Sequence, residues 1–185
     1  MSCSSIPSQS PPLMITAALL CILAPMAAIA QQPSANPAAA ACGSATASFK
    51  VSRDKHRPAP PQIPPGKALV YFVQFMDSTA PYTTKVNLGL DGNWLGATEN
   101  ETYNSFIIDP GVHHLCAVYQ GEARPMDDEG DTLLLHLQAE AGKTYYVRYH
   151  ANLIARLAFF DLVDEDEGQF LVQSADHATS VQKKK

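Results

Sequence analysis

From Ser48 onward, apolar and polar residues alternate in short runs, and turn-forming residues interrupt them about every eight to twelve positions, the rhythm of short strands. The pattern is densest from Lys85 to Tyr119. There Val86, Leu88 and Leu90 precede Asp91-Gly92, and Trp94 and Leu95 follow it. A two-residue type I′ turn needs positive φ at both central positions, which Asp-Gly tolerates, so a hairpin is predicted. Pro110-Gly111 has the fixed φ and the permissive glycine of a type II turn, joining a strand around Phe106–Ile108 to one over Val112–Tyr119. The whole stretch reads as three or four consecutive antiparallel strands.

The same reading places a first strand over Ser48–Ser52. Ala68–Gln74 is apolar and aromatic at successive positions, as suits a central strand covered on both faces. Between them, His56–Lys67 holds five prolines, which withhold backbone donors and favour a stiff, extended crossover. Leu133–Ala139 alternates, and Ala141-Gly142 turns it into Thr144–His150, which predicts a second hairpin. Leu157–Val163 is a further strand. Asp164 to Glu167 then set four acids at the positive end of a helix reaching about Gln173, a helix that Gly168 weakens. Met76–Tyr82 and Gly121–Asp131 read as loops, and the tail 174–185, ending in three lysines, is expected to fray. The sum is an antiparallel β-sandwich of about seven to nine short strands with one short C-terminal helix, spanning 48–173.

Composition divides the chain. With 185 residues, 46% hydrophobic and 17% charged, it has the chemistry of one soluble domain, and a net charge of −5 argues against nucleic acid as a partner. Residues 1–49 carry no charged side chain. Within them, Leu13–Ala30 is an apolar run closing on Ala28-Ile29-Ala30, the small-residue pattern of a cleaved secretory signal over 1–30. No Lys or Arg precedes the run, and a start at Met14 would not supply one. The alternatives are an uncleaved anchor, which is short and interrupted by Pro25, and a lipoprotein, for which Cys21 and Cys42 are poorly placed. Cleavage would leave no stable membrane span and an exported chain, periplasmic or secreted, with a flexible Ala/Pro/Ser-rich segment at 31–47. Two cysteines would remain, Cys42 and Cys116. In an oxidising compartment they are expected to form a disulfide that constrains the unfolded chain by roughly 4 kcal/mol. A reactive thiol or two buried free cysteines are the alternatives.

Candidate chemistry is sparse. The sequence has no GxSxG elbow, HExxH, Walker loop or dinucleotide fingerprint, so no catalytic residue is assigned and no cofactor is expected. Histidine offers the alternative of a metal-binding protein or unrecognised enzyme using His114, His136 and His150. His114 shares a strand face with Cys116 while His113 points the other way, which counts against a tetrahedral site, and His114 reads better as the brace of a turn. The acidic runs do not fit a calcium loop, because Gln169 and Ala175 stand where Gly and Glu are required. The binding candidates are Trp94, Tyr103 and His114, with Tyr145, Tyr146 and Tyr149 on neighbouring strands. Exposed aromatics stack on sugars or anchor protein partners, whereas buried ones are core.

The runs GKALVYF at Gly66–Phe72, LGLDGNWLGA, DPGVHHLCA and EAGKTYYVRY resemble the bacterial exported proteins grouped as domain of unknown function family 2846, over Gly66 to about Gln173. The Asp-Gly and Pro-Gly portion is also similar to PEGA domains, small β modules of bacterial surface and envelope proteins. The resemblance implies a non-catalytic binding or structural accessory module of the cell envelope, with an envelope protein or glycan as partner. It carries over no site residue.

Overall fold

The computed structural model describes residues 41–43, 47–76, 83–120, 132–152 and 157–184. The chain divides into two units, Met1–Pro33 and Ser34–Lys185, and all described residues belong to the second. The expected signal and loops at 77–82 and 121–131 lie outside them. The strands are β1 (Phe49–Asp54), β2 (Ala68–Met76), β3 (Lys85–Leu90), β4 (Asn93–Glu99), β5 (Thr102–Ile108), β6 (Gly111–Tyr119), β7 (Thr132–Ala139), β8 (Thr144–Asn152), β9 (Leu157–Val163) and β10 (Asp176–Gln182). The helix α1 (Glu165–Ser174) separates the last two.

These form a two-layer sandwich, mostly antiparallel, of a six-stranded sheet in the order β1-β10-β5-β2-β8-β9 and a four-stranded sheet β4-β3-β6-β7. Two pairings, β2 with β8 and β10 with β5, are parallel. Between the sheets, Val70 and Phe72 of β2 and Val147 and Tyr149 of β8 pack against Val86, Leu88, Leu115, Ala117 and Leu137 of the smaller sheet. The intervening positions of β2, Leu69, Tyr71 and Val73, turn outward and pack with Tyr103, Tyr146 and Leu171 under α1. Both faces of β2 are therefore covered, as its unbroken apolar run requires.

The Asp91-Gly92 hairpin forms with φ of 48° and 78°, and joins β3 to β4. The other two turns do different work. Pro110-Gly111 carries the chain from β5 in the larger sheet to β6 in the smaller, so Lys85–Tyr119 is divided between two sheets rather than one meander. The second predicted hairpin is also an arch: β7 pairs with β6, and β8 pairs with β2 and β9. Leu137 and Ala139 face Tyr145 and Val147 across the core, so pairing β7 with β8 would have removed one wall of that core.

The tail does not fray. Its residues 176–182 form β10, paired with β1 from Phe49↔Gln182 to Asp54↔His177, with Ala175 and Ala178 almost fully enclosed. DHATSVQ offers little apolar surface, and its stability comes from a ladder that only the folded sheet presents. In α1, Asp164 caps the first turn by accepting the Glu167 N–H at 2.8 Å, and three acids occupy that turn, as the charge pattern predicts. This is the only helix element fully within the described residues, and none there is long and apolar enough to cross a membrane.

Candidate binding cleft

The outer face of the smaller sheet is covered around Gly89 and Cys116 by the N-terminal segment, while Val112 and Leu134 on the same face are exposed. Cys42 and Cys116 form the expected disulfide, with Cα atoms 5.4 Å apart. Glycine makes the approach possible: a Cβ on Gly89 would lie 2.7 Å from Cys42 Cα and 2.7 Å from Cys116 Sγ. Trp94 is half-buried beside this closure, packed both on the disulfide cluster and on Ala47, Phe49 and Val51. It is an architectural residue, not a free stacking platform.

The brace of the Asp91-Gly92 turn is His113, and not His114. His113 points toward the core, its Nδ1 donating to Asp91 Oδ2 at 2.6 Å and its Nε2 donating to the Asp109 carbonyl at 2.8 Å. Both partners are acceptors, so the contacts favour the imidazolium form. Asp91 also accepts the His114 N–H at 2.8 Å. Burial alone would lower the His113 pKa, but the hydrogen bonds and charges of Asp91 and Asp109 outweigh it and raise it. Burial likewise pushes Asp91 up, and the His114 N–H and the His113 contact reverse this and hold it down. His114 is exposed and meets His136 edge-on across the β6–β7 ladder. His150 lies in the other sheet, stacked on Phe159, on the face that carries α1. The three histidines therefore do not converge, because β7 and β8 belong to opposite layers. Among the described residues no three His, Cys, Asp or Glu side chains stand close enough to hold a metal.

The outer face of the larger sheet is closed incompletely. The helix docks at Gly168, where a Cβ would meet Tyr146 Cδ1 at 2.6 Å and other atoms of that side chain closer still. The glycine that weakens α1 by propensity is what lets it lie on the sheet. The proline segment runs from β1 to β2 across the same face, anchored by Ile63 in the outer cluster and by Lys67, whose Nζ meets Asp109 Oδ1 at 2.5 Å. Between this strap and α1 the sheet remains open in a cleft of two adjoining lobes that share Pro60, Pro61, Tyr71, Val172 and Gln173. The smaller lobe, about 190 Å³, adds Arg57, Tyr103 and Ser105. The larger, about 420 Å³, adds Ile63, Leu69, Thr144, Tyr146 and Gln169.

Tyrosines form the floor. Tyr71 and Tyr146 sit opposite each other on β2 and β8 with rings stacked at 5.4 Å, and Tyr103 of β5 tilts against Tyr71 at 6.0 Å. Their side chains are more than nine-tenths enclosed. The hydroxyls of Tyr71 and Tyr103 have no hydrogen-bond partner among the described residues, yet neither oxygen is sealed from solvent. Burial raises all three phenol pKa values, with Tyr146 and Tyr103 adding to Tyr71, Asp54 to Tyr103 and Glu165 to Tyr146, so the hydroxyls keep their protons.

Of the residues singled out from sequence, Tyr103 and Tyr146 line this cleft. Trp94 and His114 belong to the other sheet. Tyr71, Arg57 and Val172 were missed as site residues, because Tyr71 reads as a core position until β2 and β8 are placed in register. One signal was available: Gln169, Val172 and Gln173 stand at the spacing that puts residues on one helix face. Comparisons with protein-family models, with curated proteins and with solved structures give no match.

Proposed function

We propose that this chain is an exported, non-catalytic binding module of the bacterial cell envelope, and that the cleft beneath the proline strap is its ligand site. The observation that carries the reading is the pair of phenol hydroxyls, unpartnered among the described residues, on enclosed tyrosines in a concave, largely apolar cleft, the combination that ligand sites use for orientation and packing. The disulfide supports an oxidising compartment, in keeping with the apolar run at Leu13–Ala30. The resemblance to exported proteins and envelope β modules points the same way, toward an envelope protein or glycan as partner. The prominent polar groups elsewhere are engaged structurally: His113 with Asp91, Arg148 with Asp161 and Glu167, and Gln74 with Thr84 and Thr98.

Retention of fractionated envelope glycans and proteins on the immobilised domain tests this. Val172→Arg, which fills the cleft, is expected to abolish retention, while Phe170→Ser, at a position 65% exposed on the same helix, leaves it intact. Equal retention by both variants would remove the cleft from the reading.

A further inference from the structure

We propose that the cleft accepts a small organic anion, a carboxylate on an apolar body, with the head group at Arg57, Tyr71 and Tyr103 and the body against Ile63, Leu69 and Val172. The inference deepens the reading of the cleft as the ligand site and rests on it. It follows from the distribution of charge and of donors along the cleft floor. Arg57 is an exposed cation lining the smaller lobe, with no acidic partner within salt-bridge distance among the described residues. Asp54, the carboxylate that acts on Tyr103, accepts the His56 N–H at 2.8 Å, and its influence on Tyr103 is weaker than that of Arg57.

The phenols of Tyr71 and Tyr103 are protonated at neutral pH and so present two O–H donors beside that cation. Donors without partners on otherwise enclosed side chains favour a ligand rich in acceptors, and an ionised acceptor makes the stronger hydrogen bond. At the opposite end the acid near the cleft is Glu165, whose carboxylate accepts the Gln169 amide at 3.0 Å. The cation lies at the Arg57 end and the carboxylate nearest Tyr146 lies at the other, which favours placing the ligand's anionic group at Arg57. The larger lobe, floored by Leu69 and walled by Ile63 and Val172, receives the apolar body, with Gln169 and Gln173 as adjustable amides on the helix side.

Titration calorimetry of the disulfide-bonded chain with 2-naphthoate, against neutral 2-naphthamide, tests the assignment. Binding of the acid at least about tenfold tighter than the amide is expected, the scale of a charge-assisted contact. Arg57→Gln should bring the acid to the level of the amide. Tyr71→Phe and Tyr103→Phe, which remove only the hydroxyl, should each weaken the acid about three- to tenfold and leave the amide nearly unchanged. Lys50→Gln, at an exposed cation of β1, should change neither. Equal binding of acid and amide, insensitive to Arg57→Gln, overturns the anion assignment while leaving the cleft as a site. Binding of neither probe overturns both.

Discussion

The two outer faces of the sandwich solve the same problem by different means. Each sheet has residues that face away from the shared core and need cover. On the smaller sheet the cover is a short segment locked by the Cys42–Cys116 disulfide and brought to backbone contact by Gly89, with Trp94 filling the flank. On the larger sheet the cover is a helix seated at Gly168 and a proline strap seated at Ile63, with the cleft between them. A covalent tie with glycine contact seals the sheet locally, around Cys116 and Gly89. Two stiff elements crossing a twisted sheet leave a gap, and it is floored by tyrosines because aromatic rings supply the area such a face must bury. The difference teaches where to look for function: the face with the most reactive side chains is tied down by the disulfide, and the face with the cleft carries tyrosines and amides, with Arg57 at the cleft and Arg148 paired to Asp161 and Glu167.

The largest test of this contrast is to remove the covalent tie. Cys42→Ser with Cys116→Ser is expected to cost roughly 2–5 kcal/mol in denaturant unfolding, while 2-naphthoate binding at the other face persists in the folded fraction. Gly168→Ala probes the other closure. Helix propensity predicts a gain of up to about 1 kcal/mol, but the added methyl group would collide with Tyr146, and overpacking of this kind costs roughly 1–3 kcal/mol, so net destabilisation is expected in thermal unfolding.

A smaller effect separates the faces by pH. The raised pKa of His113 means that its contribution is full below the ordinary imidazole value of 6.5 and fades as pH rises through the folded value. The lowered pKa of Asp91 means that its contribution is full above the ordinary carboxyl value of 3.8 and fades as pH falls through the folded value. The latch is therefore strongest between those two ordinary values. The difference in melting temperature between the native chain and Asp91→Asn should peak in that window and narrow on both sides of it. Smallest of all, Tyr103→Phe should leave stability within about 0.5 kcal/mol, because its hydroxyl makes no hydrogen bond among the described residues; a loss several times larger would show that the oxygen serves the fold.

Much of the local architecture is legible in the residues. Asp91-Gly92 specifies its hairpin because few other dipeptides accept positive φ twice, and the acids after Asp164 specify the start of α1. The disulfide followed from cysteine arithmetic once the apolar leader was set aside. Other features were not legible, for stated reasons. Ala141-Gly142 reads as a hairpin turn, yet a turn within a sheet and an arch between sheets use the same local chemistry. Alternation says that His113 and His114 face opposite ways, but which one meets Asp91 depends on which face of β6 looks inward. The tail DHATSVQ lacks an apolar pattern of its own and becomes a strand only beside β1 and β5.

The sequence alone determined that short strands would alternate with tight turns, that β2 would be covered on both faces, and that two cysteines would pair. Those outcomes rest on side-chain periodicity and backbone preference, which are local. The tertiary structure decided which strands share a sheet, that His113 rather than His114 braces the turn, and that Tyr71, Tyr103 and Arg57 meet in one cleft. These depend on pairing between residues far apart in the chain. Tyr71 and Tyr146 become neighbours through a parallel ladder, and no spacing in the sequence encodes that partnership.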